Sequence, residues 1–452
     1  MTNKKGKKTS VTSSKAKNAS IAGRITTVKP ESISQFSYQT IAVCCFVALL
    51  SFTAGIVGRK YRSKRQQLVP IPLQRNRQNK ELLMDKPNYD CSNVEDFLHD
   101  ENIAGMHVIC MHSNHSFDLY VGAKQTSIPA HNNDISNPIS WESFKVTLEN
   151  ALALTTRPIQ HQPWAIFSRE GELLATEKDD KVDNTKLAGI VLLMEGGTFL
   201  WPGVRPGFQR VIDLSYLPGE SYRGPPRNAT IETLSLFPLV LSVQGFLDME
   251  ECNYIQNKAT PSMKYSEVSL MDQDIGRPAS DFRTSQSTFL TATNDALLLE
   301  IDNRTASLVR IPKTHQEHVQ VLRYGYTEKY DAHCDYFDPS MYQNDPGTLE
   351  TIENGARNRL ATVFWYLSDV SQGGETIFPR WNKAPQPFNF KDCSKGLKVK
   401  PQRGKVIIFY SMLADGSLDV LSLHGACPVQ SKDDVKWAAN KWVWSKPVGF
   451  AY

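Results

Sequence analysis

The chain has 452 residues, 40% of them hydrophobic and 22% charged, with a net charge of +4 at neutral pH. That length holds two or three domains at roughly 150 residues each, and the composition is that of a globular protein, not a disordered or fibrous one. Much of the basic excess falls in the first eighty residues, so charge makes no case for nucleic-acid binding by the folded part.

Residues 1–38 are rich in Lys, Ser and Thr and nearly free of large apolar side chains. Such a tail cannot bury enough surface to fold. The run IAVCCFVALLSFTAGIVG follows, with no charge between Glu31 and Arg59. A helix needs about 20 apolar residues to cross a bilayer, so residues 39–58 are expected to form a transmembrane signal anchor. The run is too long and too far from the start for a cleaved signal peptide. Residues 59–90 read as a basic stalk, with Arg59, Lys60, Arg62, Lys64 and Arg65 crowding the end of the span. Those charges would hold the following domains in the cytoplasm. The glycosylation sequons at Asn114, Asn228 and Asn303 point instead to a secretory lumen. Charge and sequons disagree, and neither settles the orientation.

Six cysteines lie beyond the span: Cys91, Cys110, Cys252, Cys334, Cys393 and Cys427. None forms a CxxC pair, which argues against a zinc site or a thioredoxin-type centre. The even number permits disulfides in an oxidising compartment. Cys334 reads as a packed free thiol.

A small α/β domain is expected over 91–220. Its strands are GMHVICMH and SFDLYVG, its helix is WESFKVTLENALAL, and PWAIFSREGELLAT turns as a hairpin at Glu170-Gly171. LAGIVLLMEGGTFLW is a further strand, and the domain ends near Leu214. It carries no catalytic constellation; His107 and His112 read as surface or packed residues. LPGESYRGPPRNAT then reads as a linker. The second domain, 233–452, opens with a strand and a helix capped around Asp248. Short apolar strands follow: HVQVLRYGY, KYDAHCDYF, RLATVFWYLSDV, KVIIFYSML, VLSLHGACPV and KWAANKWVWS. Separated by Gly, Pro and Asp turns, they predict a mainly β sandwich or barrel.

Chemistry concentrates in two of these segments. YDAHCDYF holds His333 and Asp335, and SLHGACPV holds His424. Alternation along a strand sends residues i and i+2 to one side, so His333 and Asp335 can reach one metal while His424 arrives from a neighbouring strand. Two imidazoles and a carboxylate on one face of an ion form the facial triad of non-haem Fe(II) oxygenases. A His-x-Asp alone is a weak signal, because isolated short motifs arise by chance.

The ordered blocks VLRYGYTEKYDAHCDYF, RLATVFWYLSDVSQGGETIFP, GLKVKPQRGKVIIFYSML, SLHGACPV and KWAANKW raise its weight. Over residues 235–445 they resemble the 2-oxoglutarate-dependent prolyl 4-hydroxylases, and most closely the plant and algal membrane-anchored branch. The resemblance implies a double-stranded β-helix (jelly roll) with flanking helices and iron held by His333, Asp335 and His424. It implies that Lys436 anchors the distal carboxylate of 2-oxoglutarate, a charge that needs a buried counter-ion. The turn from His424 to Lys436 is about two residues longer than in the family, which makes Lys432 the substitute. Tyr324 and Thr376 match hydroxyls around the co-substrate, Trp442 matches a pocket wall, and Gly373-Gly374 allow a tight loop beside Thr376.

RTSQSTFL resembles a Ser- and Thr-rich loop that folds over the peptide, which would place Arg283, Thr284 and Ser285, together with Arg359, on the substrate side. The segment MYQNDPGTLETIENGARN is longer than in compact relatives. By resemblance the reaction is proline hydroxylation coupled to decarboxylation of 2-oxoglutarate to succinate and CO2, using Fe(II) and O2, with ascorbate as reductant. The partner is a proline-containing peptide, and a Pro-rich one would arrive as an extended polyproline-II segment. The branch also implies a single-pass type II protein of the endoplasmic reticulum or Golgi membrane with a lumenal catalytic domain. The same ligands would serve an oxygenase of lysine or of a non-peptide substrate, and the fold alone would serve a non-catalytic peptide-binding protein.

Overall fold

The computed structural model describes residues 88–99, 103–113, 116–122, 124–126, 140–154, 163–182, 185–217 and 227–449. The expected tail, membrane span and stalk lie outside these residues, except for residues 88–90 of the stalk. Among the described residues, no helix is long and apolar enough to cross a membrane. All of them fall in one compact unit, residues 80–452.

The first layer is a six-stranded antiparallel sheet with one helix. Its elements are β1 (Met106–Met111), β2 (Phe117–Val121), β3 (Lys124–Thr126), α1 (Trp141–Leu152), β4 (Ala165–Ser168), β5 (Leu173–Thr176) and β6 (Gly189–Met194). The strand order is β3-β2-β1-β6-β4-β5. Ser140 starts α1 by accepting the Ser143 N–H at 3.1 Å. The helix then buries Trp141, Phe144 and Leu148, one stripe, against Ile109, Ile166, Val191 and Leu193 of the sheet. The alternate residues Val108, Phe167, Ile190, Leu192 and Met194 point the other way and join the main core of the protein. The runs MHVICM and GIVLLM are buried at every position because both faces of this sheet are covered.

Residues 91–220 therefore do not end in a separate core, and the expected boundary moves. Strand β7 (Gln209–Asp213) pairs with β8 (Asn228–Leu236), which pairs with β9 (Leu239–Gln244). All three belong to the large catalytic sheet, and the last residues of the expected linker are already strand. Trp201 fastens the two regions. Its backbone N–H donates to the Tyr410 hydroxyl at 3.0 Å, and its indole N–H donates to the Leu308 carbonyl at 2.6 Å. A side chain at Gly105 would overlap the Asp415 backbone, and that residue sits at φ +82°.

The remaining elements are α2 (Met249–Ala259), β10 (Lys264–Tyr265), β11 (Gln286–Leu290), α3 (Ala296–Val309), β12 (Val319–Tyr324), β13 (Tyr330–His333) and α4 (Pro346–Thr351). They continue with β14 (Arg359–Tyr366), β15 (Thr376–Phe378), β16 (Leu397–Val399), β17 (Val406–Tyr410), β18 (His424–Ala426) and β19 (Lys436–Trp444). Asp248 and Glu251 form a reciprocal capping box at the start of α2. The large sheet runs β10-β11-β12-β19-β14-β17-β9-β8-β7 and the small one β13-β18-β15-β16. From β12 to β19 the chain passes back and forth between the two sheets, which is the double-stranded β-helix. Tyr324, Phe364, Tyr366, Phe378 and Val399 fill the space between them. On the other face of the large sheet, α2 and α3 pack Ile255, Leu298, Ile301 and Leu308 into the main core.

Two elements differ from expectation. RTSQSTFL is a loop only in its first three residues: Gln286–Leu290 is strand β11, registered against β12. Helix α3, ALLLEIDNRTASLV, was not anticipated. Its interior includes the Asn303 sequon, with Asn303 half-buried and Thr305 fully buried and donating to the Ile301 carbonyl at 2.9 Å. Asn228 is exposed at the start of β8, and Asn114 lies outside the described residues.

Replacing Trp201 by Ala removes a buried indole shared by both regions and should cost about 3–5 kcal/mol. Denaturant titration would measure this. A single cooperative transition should persist, because one core spans the whole unit.

Candidate active site

The three candidate ligands converge at the mouth of the β-helix. Strands β13 and β18 pair in a register that sets His333 directly opposite His424. Asp335 is not on the strand, as alternation suggested. β13 ends at His333, and the bend that follows turns the carboxylate back between the two imidazoles. Asp335 Oδ1 lies 3.6 Å from His333 Nε2, and Oδ2 lies 3.5 Å from His424 Nε2. Adjacent ligands at about 2.1 Å from an octahedral ion are ~3 Å apart, so the donor set fits one cation with little adjustment.

Each ligand is held from behind. His333 Nδ1 pairs with the Asp331 carbonyl and His424 Nδ1 with the Ser422 carbonyl, both at 2.9 Å. A protonated Nδ1 donating to a carbonyl leaves the Nε2 lone pair free for metal. The Thr362 hydroxyl, from the large sheet, donates to Asp335 Oδ2 at 2.5 Å. Burial alone would raise the Asp335 pKa, but His424 and then His333 hold it far below the ordinary carboxylate value. Burial pushes His424 down to about 4. The set is thus one anion and a neutral imidazole at neutral pH, the protonation state a divalent metal requires. Tyr330 stacks on His333 with ring centroids 3.7 Å apart.

A cavity of about 590 Å³ opens in front of the triad, lined by Tyr324, Tyr330, Phe364, Thr376 and Trp442 among others. Behind Tyr324 and Phe364 lies Lys436, wholly buried, its Nζ without a hydrogen-bond partner. It sits 5.1 Å from the Tyr324 ring and 5.6 Å from that of Phe364. Burial lowers its pKa to about 7, opposed only by the charge of Glu375. An unpaired buried ammonium is costly, and the carboxylate of a chelating keto acid would satisfy it. Lys432 is exposed on the longer turn and is excluded as the anchor. Asp434 ties that turn to Ser371 by accepting its backbone N–H at 2.7 Å, which absorbs the extra length. Gly373 and Gly374, both at φ +71°, bring their loop against Pro428 and the Lys436 stem. Thr376 accepts a hydrogen bond from Tyr366 at 2.8 Å.

Of the expected peptide-side residues, Arg283 and Arg359 line the cavity, as a rigid wall. Arg283 and Ser285 are buried, joined by a 2.8 Å hydrogen bond from Arg283 Nε to Ser285 Oγ, and Arg283 lies 4.7 Å over the Tyr330 ring. One of its terminal nitrogens has no partner. The Thr284 hydroxyl accepts the Lys329 N–H at 3.0 Å, so Thr284 braces the wall. Arg359 is not free to bind peptide with its full fork. It is bidentate to Glu317 at 2.6 and 3.0 Å and stacks 3.7 Å over Trp442. Sequence reasoning missed Tyr330, Glu317 and Thr362. Tyr330 could have been found three residues before His333; nothing in the sequence marks the other two.

Residues 319–444 match the 2OG-Fe(II) oxygenase superfamily. "Probable prolyl 4-hydroxylase 3" of Arabidopsis thaliana is 39% identical over 218 residues, covering 47% of this chain and 71% of that protein. "Probable prolyl 4-hydroxylase 10" of the same plant is 34% identical over 301 residues, covering 64% of this chain and 98% of that protein. The chain belongs to the prolyl 4-hydroxylase family. Its matched region spans β12 to β19, the eight strands that carry the triad and Lys436. A viral collagen prolyl hydroxylase from Paramecium Bursaria Chlorella virus-1, solved with 2-oxoglutarate, is 24% identical with a TM-score of 0.32, covering 46% of this chain and 96% of that one. The protein is a 2-oxoglutarate- and Fe(II)-dependent dioxygenase by family, and the donor set and the orphaned ammonium fit both groups.

Thr362→Val should weaken Fe(II) binding by about 10- to 100-fold, as loss of a ligand's supporting hydrogen bond does elsewhere; a competition titration with a chromophoric chelator would read it. Lys436→Ala should raise the 2-oxoglutarate Kd by ~100-fold, the scale for losing one partner of a buried ion pair. With Lys436 near 7 in the free site and raised again by the bound carboxylate, binding should take up a proton at pH 8 and almost none at pH 6. Affinity should fall as pH rises through 7. Calorimetry in buffers of different ionisation enthalpy would detect the uptake, and equal uptake in Lys436→Ala would remove Lys436 as its source.

Proposed function

We propose that this enzyme hydroxylates peptidyl proline at C4, coupled to conversion of 2-oxoglutarate and O2 to succinate and CO2. The observation that carries the reading is the combination of the His333–Asp335–His424 face with a partnerless buried cation, Lys436, behind the Tyr324 and Phe364 wall of the same cavity. Family membership supports the choice of proline. Bound Fe(II) would activate O2 toward the co-substrate and the substrate C–H bond.

The chain's own residues supply position. His333, Asp335 and His424 would hold the ion, and all three face the cavity. Lys436 and the hydroxyl-bearing wall of Tyr324 and Thr376 orient the keto acid, and the rings of Phe364 and Tyr366 keep water from the ammonium. Arg359, fixed by Glu317, holds Trp442 flat against the cavity wall. The unpaired Arg283 nitrogen and Trp442 Nε1 are donors suited to a peptide carbonyl. Tyr330, stacked on His333, presents an aromatic wall of the kind that proline-rich segments dock on. Ascorbate would serve as the reductant, as the family resemblance implies.

The reading places the enzyme in the endoplasmic reticulum or Golgi as a single-pass type II protein, anchored over 39–58 with its catalytic domain lumenal. Two disulfides, Cys91–Cys110 and Cys393–Cys427, support an oxidising compartment. The exposed Asn228 supports a glycoprotein. Cys252 and Cys334 remain free thiols, and burial pushes each up to about 11, so both stay protonated and unreactive.

Incubation with Fe(II), 2-oxoglutarate and single-proline peptides should add one oxygen to proline, seen by mass spectrometry, with matching succinate. Succinate without proline oxidation would sink the prolyl assignment. Glycosidase treatment of the expressed protein should shift its mobility; no shift, with the three sequons intact, counts against a lumenal domain.

A further inference from the structure

Past the triad the cleft continues. A second cavity, of about 530 Å³, begins where the first ends, and His333, Cys334, Tyr336 and Tyr342 line both. Its far side carries the apolar Leu270, Met341, Phe388, Phe390 and Val420, interleaved with polar and charged residues such as Arg277 and Arg380. Three of these leave their side chains in water around one opening. Phe388 is wholly exposed, Val420 is 51% exposed and Met341 is 42% exposed. A single exposed apolar residue needs no explanation, but several rimming one cavity mark a binding surface.

The walls are held in place. The Phe390 carbonyl accepts the Ala332 N–H of β13 at 2.8 Å, and Cys393, three residues on, is tied to Cys427. On the opposite side Met341 and Tyr342 open the segment that is longer than in compact relatives. The Asn344 N–H, two residues further on, donates to the Asp272 carboxylate at 3.1 and 3.2 Å. That bond links the segment to the stretch carrying Leu270 and Met271. The extra residues thereby complete a cavity wall.

The occupant follows from continuity. A peptide whose proline ring lies over the metal must carry its neighbours along the cleft, advancing about 3.1 Å per residue if it is polyproline-II. A cavity that starts at His333 is met within a few residues. The cluster of Leu270, Met341, Phe388, Phe390 and Val420 within it favours a large hydrocarbon side chain over a small polar one.

We propose that the second cavity is a specificity subsite that takes a large apolar side chain flanking the target proline. This rests on the prolyl reading above. The test uses the lumenal chain and single-proline peptides carrying Leu or Ser at each of several positions on either side. Leu should raise kcat/KM by about tenfold at one such position, mainly through KM. Phe388→Ala and Met341→Ala should each bring the Leu/Ser ratio towards one, and Phe388→Leu should keep it. Phe388 is wholly exposed, so its truncation removes no core packing. A wild-type ratio of one at every position overturns the subsite, as does a ratio that survives both Ala variants. No oxidised proline in any peptide, with succinate still formed, overturns the prolyl reading and the subsite together.

Discussion

The Asp335 carboxylate is the point at which the two sheets of the β-helix meet. It lies in the bend after β13, between His333 and His424 of the small sheet. It accepts a hydrogen bond from Thr362 of the large one. Arg359, at the start of β14, reaches the Asp335 carbonyl at 3.5 Å while gripping Glu317. A buried carboxylate is tolerable only when its oxygens are satisfied, so the metal face depends on the large sheet as much as on the strands that bear the histidines.

The second constraint is Lys436, which sits on β19 among aromatic rings with nothing to pair with. The site holds preformed cost at the place where a dicarboxylate co-substrate would remove it. An anion that chelates metal at one end and reaches Lys436 at the other relieves that cost; a monocarboxylate cannot do both. Co-substrate choice is therefore an electrostatic consequence of burial.

The N-terminal sheet explains why so large a region precedes the catalytic strands. One of its faces is covered by α1 and the other enters the main core, with Trp201 bonded to both Leu308 and Tyr410. It buttresses the face of the large sheet that lies away from the His333–Asp335–His424 site, and it leaves the cleft mouth to the loops around Met271, Met341 and Phe388.

Sequence by itself pointed to the chemistry. The His333, Asp335 and His424 that it singled out come together in the structure, and the Gly373-Gly374 loop lies against the Lys436 stem. The strand segments were legible because alternation and β-branched content are local properties. Tertiary structure decided what depends on partners distant in the chain. Sequence favoured Lys436 but kept Lys432 as a substitute, because burial is not written in the turn between them. It suggested a mobile loop at RTSQSTFL, since Ser and Thr look solvated until β12 pairs with them. It drew a boundary at residues 220–233 because Pro and Gly signal a break in local structure, whereas a core is defined by which faces are covered. Glu317 and Thr362 gained their roles only when folding set them against Arg359 and Asp335, more than twenty residues away along the chain.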